Sequence, residues 1–192
     1  MVFGADTGGM KLPRRPVVVA QVIVLAMALA VAACGDDLTP DPASAAPARP
    51  TGPTQDARLV RVVDGDTIRV MVGGVEERVR FLGIDTPELN AGSAATPDPY
   101  AGAATDANAR LLAGGRIVLE RDVSERDQYG RLLRDIWVER DGAWTLVNLA
   151  LVAEGYAQVS TYPPDVKYVD LLLAAQRAPR EAGRGLWGGS AP

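Results

Sequence analysis

Carboxylates stand at both ends of one predicted β-hairpin. Asp64 and Asp66 precede one strand-like run, Asp85 and Glu88 follow the next, and Arg80 lies near the end of that second run. A Gly-Gly pair between the runs is typical of a two-residue hairpin turn, which would fold the acidic ends together. Hard divalent cations prefer carboxylate oxygens, and a guanidinium binds phosphate through paired hydrogen bonds. The pattern therefore predicts a metal-assisted phosphodiesterase site.

The register of this hairpin can be counted from its turn. Seven residues back from Gly73 is Asp66, and seven forward from Gly74 is Phe81, so Asp85 lies beyond the strand end and is free to bend toward Asp66. Without a cation, such carboxylates would repel one another and their pKa values would rise. Asp-Gly-Asp-Thr and Asp-Thr-Pro-Glu are also ordinary turn-forming sequences. Their occurrence at matching ends of one hairpin, with an arginine between, favours the site.

The composition excludes several kinds of catalytic site. The 192 residues contain no His, which excludes Ser-His-Asp triads, imidazole bases and His-ligated zinc. The single Cys excludes an internal disulfide. The formal net charge is −4, and residues 58–187 carry 16 basic against 19 acidic side chains. The chain therefore has no overall positive field to attract nucleic acid.

The N-terminus is typical of a bacterial lipoprotein signal peptide, predicted over residues 1–34. Basic residues precede an almost wholly apolar stretch, 17–33, and Val31-Ala32-Ala33 leads to Cys34. This arrangement would insert into a membrane, be cleaved after small residues and accept lipid on Cys34. An uncleaved anchor with an incidental Cys and plain secretion remain open. Each version predicts an extracytoplasmic domain, and Met10 is an alternative start to Met1.

The remaining chain divides into a tether and one domain. Residues 35–57 are rich in Pro and Ala and predict a disordered tether. The domain is predicted over 58–187, followed by a frayed end, 188–192. Five strands are expected at 59–63, 67–72, 75–82, 116–123 and 131–139, and three helices at 100–112, 146–154 and 165–182, the last interrupted by Pro179. This order is that of an OB-type five-stranded barrel with added helices, whereas periodicity alone indicates only an α+β fold.

Three motifs in order, V-V-D-G-D-T-I, R-x-x-x-x-D-T-P-E and D-x-Y-G-R, resemble the thermonuclease family of staphylococcal-nuclease-like domains. The resemblance covers about residues 58–187. It implies the OB-type barrel and Ca²⁺-dependent hydrolysis of DNA and RNA that leaves 3′-phosphate ends.

The resemblance also implies roles for individual residues. Asp66 and Asp85 would bind Ca²⁺ directly, the backbone carbonyl of Thr86 would be a third ligand, and Asp64 would lie one shell further out. Glu88 would position or deprotonate the attacking water.

On the substrate side, the resemblance makes Arg80 and Arg131 a clamp on the phosphate and places Tyr129 at the nucleotide. The chain departs from the family's pattern at Gln128, where the family has a lysine, and at 160–161, where a tyrosine is expected and Tyr162 is the substitute. The loop 89–99 also lacks the family's lysines. These departures predict weaker nucleic-acid binding than in basic members.

Three functions follow from these observations. The first is a lipid-anchored, calcium-dependent nuclease that acts as a monomer on single-stranded or unpaired DNA or RNA. The second is a catalytically weak OB-type module that binds single strands at the cell surface. The third is a calcium-stabilised surface protein without a nucleic-acid role. Because all five acid and arginine positions of the site are present, we expect the first.

Overall fold

The structure is a computed structural model that describes Met1 and residues 47–88 and 100–188. The predicted signal peptide with Cys34, most of the predicted tether, the loop 89–99 and nearly all of the predicted frayed end lie outside the described residues.

Three antiparallel strands, β1 (Thr54–Val62), β2 (Thr67–Val72) and β3 (Val75–Phe81), form the first half of the sheet. Gly73 and Gly74 have φ of 57° and 87°, and a turn with two such residues suits the twist of a β-hairpin. Phe81 N donates to Asp66 O at 2.9 Å, so Asp66 lies opposite Phe81. The register counted from the sequence is confirmed.

The barrel closes through two later strands. β5 (Arg116–Glu120) pairs with β1, and β6 (Leu132–Arg140) pairs with β5. β6 also runs parallel to β3, with Arg80 beside Leu133, and this pairing joins the two ends of the sheet. The five-stranded OB-type barrel with three helices is therefore confirmed.

Shorter elements surround the barrel. Ile84–Asp85 forms β4, which pairs with β8 (Gln158–Val159), and β7 (Ala143–Leu146) extends the sheet beside β6. The helices are α1 (Ala101–Leu112), α2 (Val147–Glu154) and α3 (Val169–Glu181), and a 3-10 turn spans Gly185–Trp187. No helix among the described residues has the length and apolar character that crossing a membrane requires.

Alternation along the strands separates the core from the outer face. Ile68 and Val70 of β2 and Val79 of β3 are fully buried, whereas the residues between them face outward. Burying such side chains contributes about 1.5–3 kcal/mol each, which fixes the register because a one-residue slip would expose them all. The outward residues, including Arg80, are thereby held in place by the core.

Several elements differ from the prediction, and among them β5 ends at Glu120 rather than at residue 123. β1 begins at Thr54, inside the predicted tether, because 54–57 pair with Ile117–Glu120 of β5. β7 was not expected at all. α3 starts at Val169 rather than at residue 165, because the Asp165 carboxylate instead accepts hydrogen bonds from Val123 N and Ser124 N. Pro179 lies in the last turn of α3, which ends two residues later.

Candidate active site

Arg80 joins the two ends of the hairpin. Its side chain forms an ion pair with Asp66, which is only 1% exposed, and its Nη2 lies 2.7 Å from Asp85 Oδ1. The second oxygen of Asp66 accepts a hydrogen bond from Thr86 N at 2.9 Å. Asp66, Asp85, Thr86 and Arg80 therefore meet at one place, as the sequence predicts.

Asp64 is buried beside Asp66 and positions its backbone. Its Oδ1 accepts a hydrogen bond from Asp66 N at 3.2 Å, and its backbone carbonyl accepts one from Asn108 Nδ2 of α1 at 3.1 Å. Burial raises the pKa of Asp64, against the opposing effects of a hydrogen bond from Thr67 and the charge of Arg80. Asn108, which is fully buried, was not identified from the sequence because its partner is 44 residues away.

Gly65 allows the acidic turn to pack against Thr86. A Cβ atom at this position would lie 2.6 Å from Thr86 Oγ1 and 2.8 Å from Thr86 Cβ, which is closer than atoms can approach. The glycine is therefore required for the contact that brings Asp66 to the Thr86 amide.

The donor set can be tested against a metal ion. Within residues 47–88 and 100–188 no group of three or more acidic, Cys or His side chains is arranged to hold one. Asp66 and Asp85 nevertheless converge on a single positive charge, that of Arg80, and offer the hard oxygen donors that Ca²⁺ prefers. Asp66 and Asp85, with the backbone carbonyl of Thr86 that follows Asp85 in the chain, are the donors that would hold a cation here.

Arg131 is held by Asp127, the first residue of the D-x-Y-G-R motif, to which the sequence alone assigned no role of its own. Its Nε lies 2.6 Å from Asp127 Oδ2, and the Asp127 Oδ1 accepts hydrogen bonds from the backbone N of Arg131 and Tyr129. Burial acts to raise the pKa of Asp127, but the hydrogen bonds from Arg131 and Tyr129 outweigh it and leave this pKa lowered. The Asp127 side chain is only 15% exposed. Its spacing of four residues from Arg131 was the available signal.

A cleft of about 450 Å³ brings the two halves of the site together. Its lining includes both arginines, Glu88 and the two tyrosines that the sequence assigns to the substrate, Tyr129 and Tyr162. The tyrosines are 75% and 73% exposed, and the Arg131 guanidinium lies 5.6 Å from the centre of the Tyr129 ring. Glu88 is exposed and forms no ion pair with another described residue. The cleft thus brings together two arginines, the carboxylate of Glu88 and two exposed aromatic rings.

A second group of carboxylates, here called the Glu120 cluster, lies elsewhere in the barrel and was not predicted. Glu120 is fully buried and accepts hydrogen bonds from Lys167 Nζ at 2.5 Å, Tyr168 OH at 2.8 Å and Trp137 Nε1 at 2.7 Å. Two further bonds come from the backbone N of residues 51 and 52. Asp135 lies nearby, and burial together with the charge of Glu120 holds its pKa well above the usual range.

Trp137 and Asn148 have structural roles in the barrel. Trp137 is 1% exposed, and Asn148 accepts a bond from Ile136 N and donates one to Leu82 O, both at 2.9 Å. Neither lines the cleft.

The fold and the site together define a class of protein. It is an OB-type barrel whose first hairpin carries Asp66, Asp85 and Arg80, and Arg131, just before the last barrel strand, completes the site. The model of the family described as staphylococcal nuclease homologue matches residues 78–189, and the chain belongs to this family. A thermonuclease of Staphylococcus hyicus is 34% identical over 134 residues, which is 69% of this chain and 76% of the relative. A thermonuclease of Staphylococcus intermedius is 38% identical over 128 residues, 66% and 73% of the two chains. A prophage-derived endonuclease of Bacillus subtilis (strain 168) is 36% identical over 69% of this chain and 44% of the relative.

Proposed function

We propose that this protein is a Ca²⁺-dependent nuclease that hydrolyses phosphodiester bonds of DNA or RNA with water and leaves 3′-phosphate ends. The observation that carries the proposal is one cleft in which Arg80, joined to Asp66 and Asp85, faces Arg131 and Glu88. The similarity to thermonucleases and to an endonuclease supports a nuclease function.

The two arginines would bind the scissile phosphate. Attack on a phosphodiester builds negative charge on its non-bridging oxygens, and planar guanidinium groups bind such oxygens in pairs. Arg80 is 14% and Arg131 is 22% exposed, so both charges act from partly desolvated positions where water screens them less. Asp127 holds Arg131 by its Nε, and no described residue bonds the terminal nitrogens of the guanidinium, which would bind the phosphate.

Glu88 would position the attacking water or take its proton. It is a cleft-lining carboxylate without an ion-pair partner among the described residues, which leaves its oxygens available. Ca²⁺ held by Asp66, Asp85 and the Thr86 carbonyl would polarise the phosphate and the water.

The exposed tyrosines would select unpaired nucleotides. Tyr129 and Tyr162 present their rings at the rim of the cleft, and a base can stack on such a ring only where it has left a duplex. Single-stranded DNA and RNA are therefore the substrates that we propose.

We also propose that the mature protein is a monomer anchored to the membrane by lipid on Cys34. The support is the sequence pattern alone, an apolar stretch followed by small residues and the Cys. Cys34→Ser should transfer the protein from the membrane fraction to the soluble fraction of the cell. Retention in the membrane would overturn lipidation.

The proposal is tested by incubating the protein with single-stranded DNA and RNA in Ca²⁺, with and without chelator, and by mapping the product ends. We expect cleavage only with Ca²⁺. The products should carry 3′-phosphate groups, which a phosphatase removes. Absence of cleavage at high enzyme concentration would overturn a nuclease. If metal-independent binding of the strand remained, the result would favour the binding module.

A further inference from the structure

Three arginines lie side by side on the outer face of the barrel. In the antiparallel register, Arg61 of β1 is the direct partner of Arg69 in β2, and Arg69 is the direct partner of Arg78 in β3. Their neighbours Ile68 and Val79 point into the core, so these three residues point outward. With strands about 4.8 Å apart, the row is about 10 Å long. We call it the arginine row.

The row does not stabilise the fold. Like charges directly opposite one another across strands are destabilising. Among the described residues, Arg69 has an ion-pair partner, Glu76 at 2.9 Å, and the other two arginines have none. Arg61 and Arg78 are exposed and form no side-chain hydrogen bond or ion pair within the described part of the chain. Packing therefore does not account for the row, and two of its charges are free for an external anion.

The row continues the line of the catalytic cleft. Arg80 is two residues from Arg78 on the same face of β3, a distance of about 7 Å along the strand. The charge of Arg78 acts on Asp64, as does that of Arg80. From Arg80, the far end of the row lies about 12 Å away, so the row can be reached only by nucleotides that flank the scissile phosphate.

We propose that the arginine row binds the backbone of the single strand that leaves the cleft beyond Arg80. This inference rests on the proposed nuclease function and extends it from the scissile phosphate to the flanking nucleotides. It also accounts for how a chain with net charge −4 binds a polyanion: the positive charge is concentrated along one track beside the site.

The experiment compares two variants that lose the same charge. Arg61→Gln with Arg78→Gln removes the two unpaired charges of the row. Arg177→Gln with Arg184→Gln removes two exposed charges on and after α3, neither of which lines the cleft. The full-length chain in detergent is assayed with a strand of about 20 nucleotides and with a dinucleotide, which is too short to reach the row. Thermal melting establishes that both variants are folded.

Counterion release sets the expected effect. The logarithm of the binding constant falls linearly with the logarithm of the salt concentration, and each phosphate contact on a single strand contributes about 0.7 to this slope. The row variant loses two such contacts, so its slope should be smaller by about 1.4. Near 0.1 M salt this corresponds to a KM for the long strand about 20-fold higher, with a much smaller change for the dinucleotide. The control variant should remain within about twofold of the wild type, because its charges lie outside the track.

Equal KM values for the row variant and the control would overturn the proposal while leaving nuclease activity intact. Failure of the wild type to cleave any strand would instead count against the proposed function. In that event, fluorescence anisotropy with a labelled strand still tests whether the arginine row binds nucleic acid, because it compares the affinities of the same two variants. Row-dependent binding to vesicles of anionic lipid, without row-dependent binding of the strand, would overturn the proposal in favour of a membrane contact.

Discussion

The candidate active site and the Glu120 cluster both place carboxylates beside a basic side chain, but they differ in how many hydrogen bonds those carboxylates accept and in how far they are buried. Glu120 receives five hydrogen bonds and has no exposed surface. Asp85, by contrast, is 41% exposed and is held by Arg80 together with a long contact, 3.5 Å, from Gln158. A carboxylate with all its acceptor positions filled stabilises the fold, whereas one with positions to spare can bind a ligand. Residue type alone does not distinguish the two.

The strongest test of this difference is in the cleft. Arg131→Ala should lower kcat/KM by about 10²–10³-fold, because one charged contact to the transition state is lost, while the melting temperature stays near that of the wild type. Arg126→Ala is the matched control, since Arg126 lies in the same loop, pairs with Glu77 and does not line the cleft. Equal losses in both variants, measured by initial rates on single-stranded DNA, would show that the loop and not the guanidinium matters.

The reverse pattern is expected in the Glu120 cluster. Glu120→Gln breaks a buried ion pair with Lys167 and should lower the free energy of unfolding by about 3 kcal/mol. At a temperature where the variant remains folded, its kcat/KM should be close to that of the wild type. Glu139→Gln, which breaks a more exposed pair with Arg116, should cost about 1 kcal/mol or less. Urea unfolding measures both free-energy changes. If Glu120→Gln kept full stability but lost activity, the conclusion that Glu120 serves the fold rather than the site would be wrong.

Asp135, which lies near Glu120, is expected to make the stability of the protein depend on pH. Its pKa is raised in the folded protein, so the folded state holds a proton that the unfolded state has released, and stability falls as pH rises from about 4 toward the folded pKa. Asp135→Asn removes this loss. Its stability relative to the wild type should grow with pH, by at most about 1.4 kcal/mol per pH unit. Parallel curves from urea unfolding between about pH 4 and pH 8 would contradict the assignment.

The sequence predicted what depends on local pattern. The two central strands, their Gly-Gly turn and the position of Asp66 opposite Phe81 follow from alternation and counting, which is why the hairpin half of the site was found. The role of Asp127 was missed because the same residues form a turn whether or not the carboxylate binds Arg131.

What depends on distant partners was not predictable in this way. Glu120 stands at the end of a strand whose last four residues are buried, and nothing near it in the chain indicates Lys167, which is 47 residues away. Likewise, the first four residues of β1 have a polar composition and become a strand only because β5 offers them a pairing edge. Tertiary pairing overrides local propensity in both cases.

The parallel pairing of β3 with β6 has a consequence for how the protein would fail on heating. Arg80 lies beside Leu133, and Arg131 is two residues before Leu133, so the two cationic halves of the cleft meet along this seam. The seam joins segments about 50 residues apart, and no tight turn tethers them. A local opening there would separate the halves while the hairpin and the helices stayed intact. Inactivation would then precede global unfolding, and hydrogen exchange at the seam amides would follow the loss of activity rather than the loss of the fold.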